Sequence, residues 1–383
     1  MSAATLPMAC VMGDMDLVRA LGLARVPCAA VAKPGAAPRG SRFVRSSLPW
    51  VDAWEDPGAM LEVLLAFAAT QPLPPVLFYE EDRGLLLVSR NRERLAGAFR
   101  FVLADAELVE DLVDKSRFQR LAERLALPVP ASRRLDPATL SGAADVDLRF
   151  PLIVKPLTRR PERWDPIAGG AKALQVETMG ELRTLWPRLV DAGVSVLAQE
   201  RVPGSEARIE SYHVYVDALG KVAGEFTGRK IRTYPQVYGD STALVITDDP
   251  GVRALGRELV ERLGLRGVAK FDFKRGPDGR LHLLEVNPRF TLWSHPGAVA
   301  GVNLPELVYR DLVGLPRRAA RPARAGVRWC RVWRDHAAAR DAGVSTAAWL
   351  RWVLTCEAKC AMAWDDPVPV LYAGLWRCLH RHG

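Results

Sequence analysis

Apolar positions along the chain recur with two periods, two and about 3.6, and their alternation predicts strands interleaved with helices. Met8 to Met12 is a short apolar run. Gly13-Asp14-Met15-Asp16 breaks it, and Leu17, Leu21 and Leu23 then follow at helical spacing. Val26 to Ala32 reads as a second strand, Pro57 to Thr70 as a helix and Pro75 to Tyr79 as another strand. Strands alternating with helices predict a parallel sheet whose ligands lie near the carboxyl ends of the strands. The turn at Gly13 lacks the GxGxxG spacing of a dinucleotide site. It reads as a tight strand-to-helix turn, with a small-molecule contact left open.

Further along, Asp105 to Leu127 is helical until Pro128 and Pro130 stop it. Phe150-Pro151-Leu152-Ile153-Val154-Lys155-Pro156 is a buried strand ending in a lysine, and Asp165 to Ala173 reads as a mobile glycine-containing loop. A helix over Met179 to Ala192 leads to a strand over Val194 to Gln199. Strands at Glu210 to Asp217 and Val222 to Thr227 flank a turn at Leu219-Gly220, and Pro250 to Leu263 is a helix. Gly267 to Lys274 and Arg280 to Val286 form a hairpin around Gly276-Pro277-Asp278-Gly279. Arg317 to Arg328, rich in Arg, Ala and Pro, reads as a linker. Thr346 to Ala363 reads as a helix, and Asp365-Asp366-Pro367 to Leu371 as a turn and an apolar segment.

The 383 residues suit two or three packed domains. The best apolar run, Leu61 to Ala69, is nine residues long and contains Glu62, too short to cross a bilayer. Asp14 and Asp16 stand where a signal peptide would carry basic residues, so the expectation is a cytoplasmic protein. The net charge of +9 suggests nucleic acid until its distribution is read: residues 317–383 hold twelve cations against five acids, leaving only +2 for the first 316. The body shows no nucleic-acid-binding signature. The tail interleaves arginines with tryptophans at 329, 333, 349, 352, 364 and 376. A packed terminal subdomain is the reading preferred to contact with an acidic membrane surface or a polymer. Cysteines at 10, 28, 330, 356, 360 and 378 lack zinc-site spacing; Cys356 and Cys360 could share one helix face, as small buried hydrophobes rather than a metal or redox pair.

The hairpin carries the chemistry. Glu285 and Asn287 point to one face, Arg289 continues it beyond Pro288, and Asp272 can meet Glu285 across the ladder. Two facing carboxylates would repel without a purpose. With an amide oxygen beside them, they form a hard donor set suited to Mg²⁺ completed by phosphates.

Leu284-Glu285-Val286-Asn287-Pro288-Arg289, with Phe271-Asp272-Phe273 upstream, resembles the signature of ATP-grasp enzymes. It is similar to short proteins related to the carbamoyl phosphate synthase large subunit and to enzymes of the D-aspartate ligase type. The resemblance covers roughly residues 105–316, and more weakly the N-terminal unit. It implies an α/β (α+β) fold of two lobes clamping ATP behind a small parallel-sheet domain. The expected divisions are 1–104 for that pre-ATP-grasp domain, 105–198 and 199–316 for the lobes, and 317–383 for a basic extension.

The same resemblance assigns Lys115 and Lys155 to the ATP phosphates. The stretch Val196 to Glu206 matches the linker between lobes, with Gln199 among the nucleotide-binding residues, the backbone near Glu200 and Val202 at the adenine and Glu206 at the ribose. Arg229, Lys230 and Arg232 cluster three cations that would meet the triphosphate or an acidic substrate, or form a solvated edge. Gly239-Asp240-Ser241-Thr242 would be a neighbouring loop of backbone donors. The phosphate-covering loop departs from the family: Arg159 to Gly170 has one glycine pair and bulky residues, and Lys172 would partly replace it. His213 and His295 read as packing, although His295, following the Asn287-Pro288-Arg289 box, could also face the acceptor.

The implied cofactors are ATP and Mg²⁺ (or Mn²⁺), the metal on Asp272, Glu285 and Asn287. Lys155, Arg232 and Arg289 would assist transfer of the γ-phosphoryl to a carboxylate, forming an acyl phosphate that an amine, expected to be an amino acid, then attacks. A non-catalytic ATP-binding module, or a carbamoyl phosphate synthase-like phosphotransferase, are the alternatives. The expected partners are the small carboxylate and amine, with neither nucleic acid nor a membrane span; a homodimer is left open.

Overall fold

A computed structural model describes residues 6–140, 146–157, 161–319 and 321–380. The first sheet consists of β1 (Ala9–Met12), β2 (Cys28–Val31), β3 (Val44–Leu48) and β4 (Val76–Tyr79), all parallel in the order β3-β2-β1-β4. Strand order reverses between β1 and β4, which opens a crevice at their carboxyl ends. Asp14 caps the helix Met15–Leu23 there, its Oδ1 accepting the Met15 N–H at 2.8 Å. β3 escapes the sequence pattern because its central Arg45, Ser46 and Ser47 are exposed.

The second sheet is antiparallel and contains β5 (Ser132–Leu135), β6 (Leu152–Pro156), β7 (Leu174–Val176) and β8 (Val196–Glu200), in the order β5-β8-β6-β7. β8 runs through the expected 198/199 boundary. The two helices before it are also two rather than one. Asp114 ends Ala106–Val113 and caps Lys115–Arg124, accepting from Ser116 N (2.9 Å) and Arg117 N (2.8 Å). Their Val109, Leu112, Phe118 and Leu121 pack into a core shared with the first and third sheets, not into that of the second. The expected mobile loop is in part the helix Pro161–Ala168, because Trp164 is fully buried and donates to the Ala171 carbonyl at 2.8 Å. Arg159 and Arg160, counted in the phosphate-covering loop, lie outside the described residues.

The third sheet holds β9 (Ile209–Val216), β10 (Val222–Tyr234), β11 (Asp240–Thr247), β12 (Gly267–Arg275), β13 (Leu281–Asn287), β14 (Arg328–Cys330) and β15 (Ala358–Lys359), ordered β13-β12-β9-β10-β11-β14-β15. Asp240 to Thr242 thus begin a strand instead of a loop. In the tail, β14 pairs with β11, and Trp329 is completely buried. Arg317, at the start of the expected linker, clasps Asp217 (2.9 Å) and Asp311 (2.6 Å). The expected helix through Ala363 stops at Leu354, so Cys356 and Cys360 flank β15 and share no helix face. Both are buried, and among the described residues all six cysteines are free thiols.

Gly228 in β10 lets the Trp293 indole lie against the sheet: a Cβ there would stand 2.2 Å from the ring. Gly228→Ala should cost about 1–3 kcal/mol through overpacking. A thermal melt checks this, and an unchanged midpoint would contradict the packing described.

Candidate active site

The β12–β13 register sets Asp272 opposite Glu285 and Lys270 opposite Asn287, while β9 places Ser211 beside Asp272 on the other side. The ladder shifts between Asp272 and Phe273, leaving Leu284 as the extra residue of a bulge, a device that re-aims neighbouring side chains. Glu285 is exposed and Asn287 half-buried, with Val286 buried between them. Asn287 Nδ2 donates to Glu285 Oε1 at 3.2 Å. Asp272 is buried; its Oδ1 accepts from Ser211 Oγ at 2.6 Å and its Oδ2 from Lys270 Nζ at 2.5 Å. Burial opposes its ionisation, but Lys270 and Lys230 outweigh this and hold the carboxyl below the usual range. Arg289 donates to Asp82 Oδ1 (2.6 Å), the Glu80 carbonyl (2.9 Å) and Asn287 Oδ1 (3.0 Å). The first domain is thereby tied to the hairpin.

Lys155 ends its strand against Gln199, donating to Oε1 at 3.1 Å. Burial lowers its pKa, Lys115 and Lys230 add to that, and Glu285 and Glu206 oppose it. Lys115 Nζ donates to the Leu157 carbonyl at 3.1 Å. The expected cations Lys115, Lys155 and Lys230 therefore share one electrostatic neighbourhood with Glu285. Two more were missed. Lys270, and Lys274 whose Nζ lies 3.3 Å from Glu206, flank Asp272 at a spacing of two on the same strand. The strand period that linked Glu285 to Asn287 would have found both.

Two clefts meet at this face. One of about 540 Å³ opens between the second and third sheets and is lined by Lys155, Gln199, Val202, Glu206, Ile231 and Lys274 among others. The Glu200 carboxylate turns instead to Arg149, at 2.9 Å, and its N–H to the Ala131 carbonyl. Arg232 has partners of its own. Although it borders this cleft, its Nε and Nη2 donate to Asp335 at 2.9 and 2.7 Å and its guanidinium stacks on Trp352. Two nitrogens of the fork are thus engaged by the C-terminal helices, while the residue still lines the cleft. The helix Val332–Asp341 also brings Ala338 to the cleft wall, with Ala342 just beyond it.

The other cavity, about 690 Å³, joins the crevice of the first sheet to Lys230, Lys270, Glu285, Asn287 and Arg289. Lys172 reaches Asp240 at 2.5 Å on its rim. Arg229 is exposed. His213 is buried and stacked on Phe226, and burial keeps it well below the usual imidazole pKa. His295, also buried, accepts from Arg19 at 3.3 Å and bonds Asp16 at 3.3 Å. Both side chains are buried in the fold.

Among the described residues no three His, Cys, Asp or Glu side chains gather as a self-sufficient metal cage. Two carboxylates and an amide on one face fit a different design, in which a hard cation takes few protein oxygens and draws the rest from phosphates and water.

Residues 207–333 match a protein-family model described as ATP-grasp in the biosynthetic pathway with Ter operon. A D-alanine–D-alanine ligase B of Chromobacterium violaceum is 28% identical over 215 residues, 52% of this chain and 65% of that protein. The carbamoyl phosphate synthase large chain of Deinococcus radiodurans is 26% identical over 48% of this chain and 18% of its own length. The chain thus spans less than two thirds of these relatives. An N5-carboxyaminoimidazole ribonucleotide synthetase solved with ADP superposes with a TM-score of 0.61 at 17% identity, covering 82% of this chain and 80% of that one. An L-amino acid ligase from Bacillus licheniformis superposes with a TM-score of 0.61 at 16% identity, covering 82% and 75%. At such identities the likeness is one of fold. No helix among the described residues is long and apolar enough to cross a membrane.

Proposed function

We propose that this chain, an ATP-grasp protein by its fold and family match, is an ATP-dependent ligase that activates a small carboxylate as an acyl phosphate for attack by an amine. The observation that carries the reading is the in-register pair Asp272 and Glu285, of which Glu285, with Asn287 and Arg289, lines the larger cavity. ATP fits the 540 Å³ cleft, its adenine against Val202 and Ile231 and its ribose near Glu206 and Lys274. Asp272, Glu285 and Asn287 would hold Mg²⁺ or Mn²⁺, which when bound neutralises phosphate charge.

The residues of the chain do the remaining work. Lys155, Lys115 and Lys230 offer cationic donors along the path of the triphosphate, and lysine suits moving charge because its ammonium follows the oxygens on a flexible stem. Arg289, fixed by Asp82 and the Glu80 carbonyl, presents a planar fork to a carboxylate or to the phosphoryl group in flight. The γ-phosphoryl passes to the carboxylate, and the amine then displaces phosphate. Walls from all three sheets shield the acyl phosphate from water. The carboxylate and amine enter through the 690 Å³ cavity, away from the nucleotide.

Phosphate release from Mg-ATP, measured over a panel of carboxylic acids and amino acids, tests the reading. Release should require both a carboxylate and an amine. ATP binding with no release stimulated by any pair would instead identify a binding module.

A further inference from the structure

Glu80 directly follows β4 and Gly13 directly follows β1, so they stand at the carboxyl ends of neighbouring parallel strands where the strand order reverses. The Glu80 Oε2 accepts the Asp14 N–H at 2.7 Å. Its Oε1 accepts no hydrogen bond among the described residues. Gly13 is required for this approach, since a Cβ there would lie 2.8 Å from Oε2 and 3.0 Å from the Glu80 Cβ. The Glu80 carbonyl holds Arg289 at 2.9 Å, and the residue lines the same cavity as Glu285 and Asn287. A carboxyl with one oxygen anchored and one uncommitted therefore faces the place where the acyl phosphate would form.

We propose that Glu80 is the general base that takes a proton from the amine nucleophile. The proposal rests on the ligase reading above and extends it. The amine arrives as an ammonium, and one N–H proton passes to Glu80 Oε1. The freed lone pair attacks the acyl-phosphate carbon; the C–N bond forms, the bond from carbon to the phosphate oxygen breaks, and phosphate departs with that electron pair and the second amine proton.

The surroundings suit the task. Burial raises the Glu80 pKa to about 8, with help from the charges of Asp14 and Asp16 on the helix after β1, while the Asp14 N–H and Arg289 pull it down. Glu81, Asp82 and Arg83 follow on its own chain, and Arg331 lies across the rim near Asp14 at 3.7 Å. A base of this strength exchanges a proton with an ammonium at little cost near neutral pH. Its active form is the carboxylate, so the rate with the amine should rise as pH climbs through this value and level off above it.

Hydroxylamine separates the steps, because it traps an acyl phosphate as a hydroxamate and is already unprotonated at neutral pH. Wild-type protein is incubated with Mg-ATP, hydroxylamine and each member of the panel of carboxylic acids and amino acids as carboxylate, then with the amino acids as amines. If the wild type forms no hydroxamate with any of them, the ligase reading fails and this proposal with it. If it does, Glu80→Gln should lower the ratio of amide to hydroxamate by about 10²-fold or more, the usual contribution of a positioned base. The rising limb of the pH profile should vanish as well. Equal loss of amide and hydroxamate, or amide formation at the wild-type rate, would overturn the role of Glu80.

Discussion

Glu285→Gln is expected to abolish ATP-dependent turnover while leaving the protein folded. Glu285 is exposed at the cavity floor, so no core contact is lost, and the amide keeps its volume. The substitution also removes a carboxylate standing opposite Asp272 in the ladder, and like charges so placed destabilise a sheet. Stability should therefore hold or rise slightly. Activity should move the other way. A metal ion in phosphoryl transfer contributes several kcal/mol of charge stabilisation, so weakening its seat should cost about 10²-fold or more in kcat/KM. Phosphate release and a thermal melt on the same preparation check both halves. A variant with wild-type turnover would remove Glu285 from the reaction. One that melts far below the wild type would show the pair to be structural.

The hairpin was legible in the sequence because strand period two is strict: once Glu285, Asn287 and Asp272 were assigned to strands, their common face followed, and the observed register agrees. What was not legible depends on contacts distant in sequence. Arg232 sits beside Lys230 and looks like a phosphate cation, yet its partner Asp335 lies 103 residues away. Glu80 drew no notice, since a single acid after an apolar strand has no local signature. Its position matters only once β1 and β4 are known to be neighbours. The segment after Trp164 differs from its pattern for a similar reason: its glycines and proline mark irregular backbone, whereas its first residues lie in the helix that buries the Trp164 indole. The C-terminal segment agrees with the packed subdomain preferred over a membrane contact, but its partners are distant in sequence: Arg317 pairs with Asp217 at 2.9 Å, and Trp329 is buried against the first and third sheets while Trp333 and Trp364 stay exposed.

That integration of the tail sets up the other large effect, expected from Asp335→Ala. Asp335 is fully buried and all of its acceptor capacity is in use. Oδ1 takes Arg232 Nε and Thr242 Oγ1, both at 2.9 Å; Oδ2 takes Arg232 Nη2 at 2.7 Å and Trp349 Nε1 at 3.0 Å. One carboxylate thus joins β10, β11 and the helices Val332–Asp341 and Thr346–Leu354. Removing it strands the Arg232 guanidinium, and breaking a buried pair in this way costs about 3–5 kcal/mol. Chemical denaturation should show that loss. Nucleotide affinity should fall too, because Ala338 on the helix of Asp335, and Ala342 after it, help to wall the 540 Å³ cleft. The double variant Asp335→Ala, Arg232→Met tells structure from catalysis. If Arg232 serves only the fold, removing its charge restores part of the stability and brings ATP affinity and turnover back together. If Arg232 also touches the transferring phosphoryl group, stability returns and turnover does not.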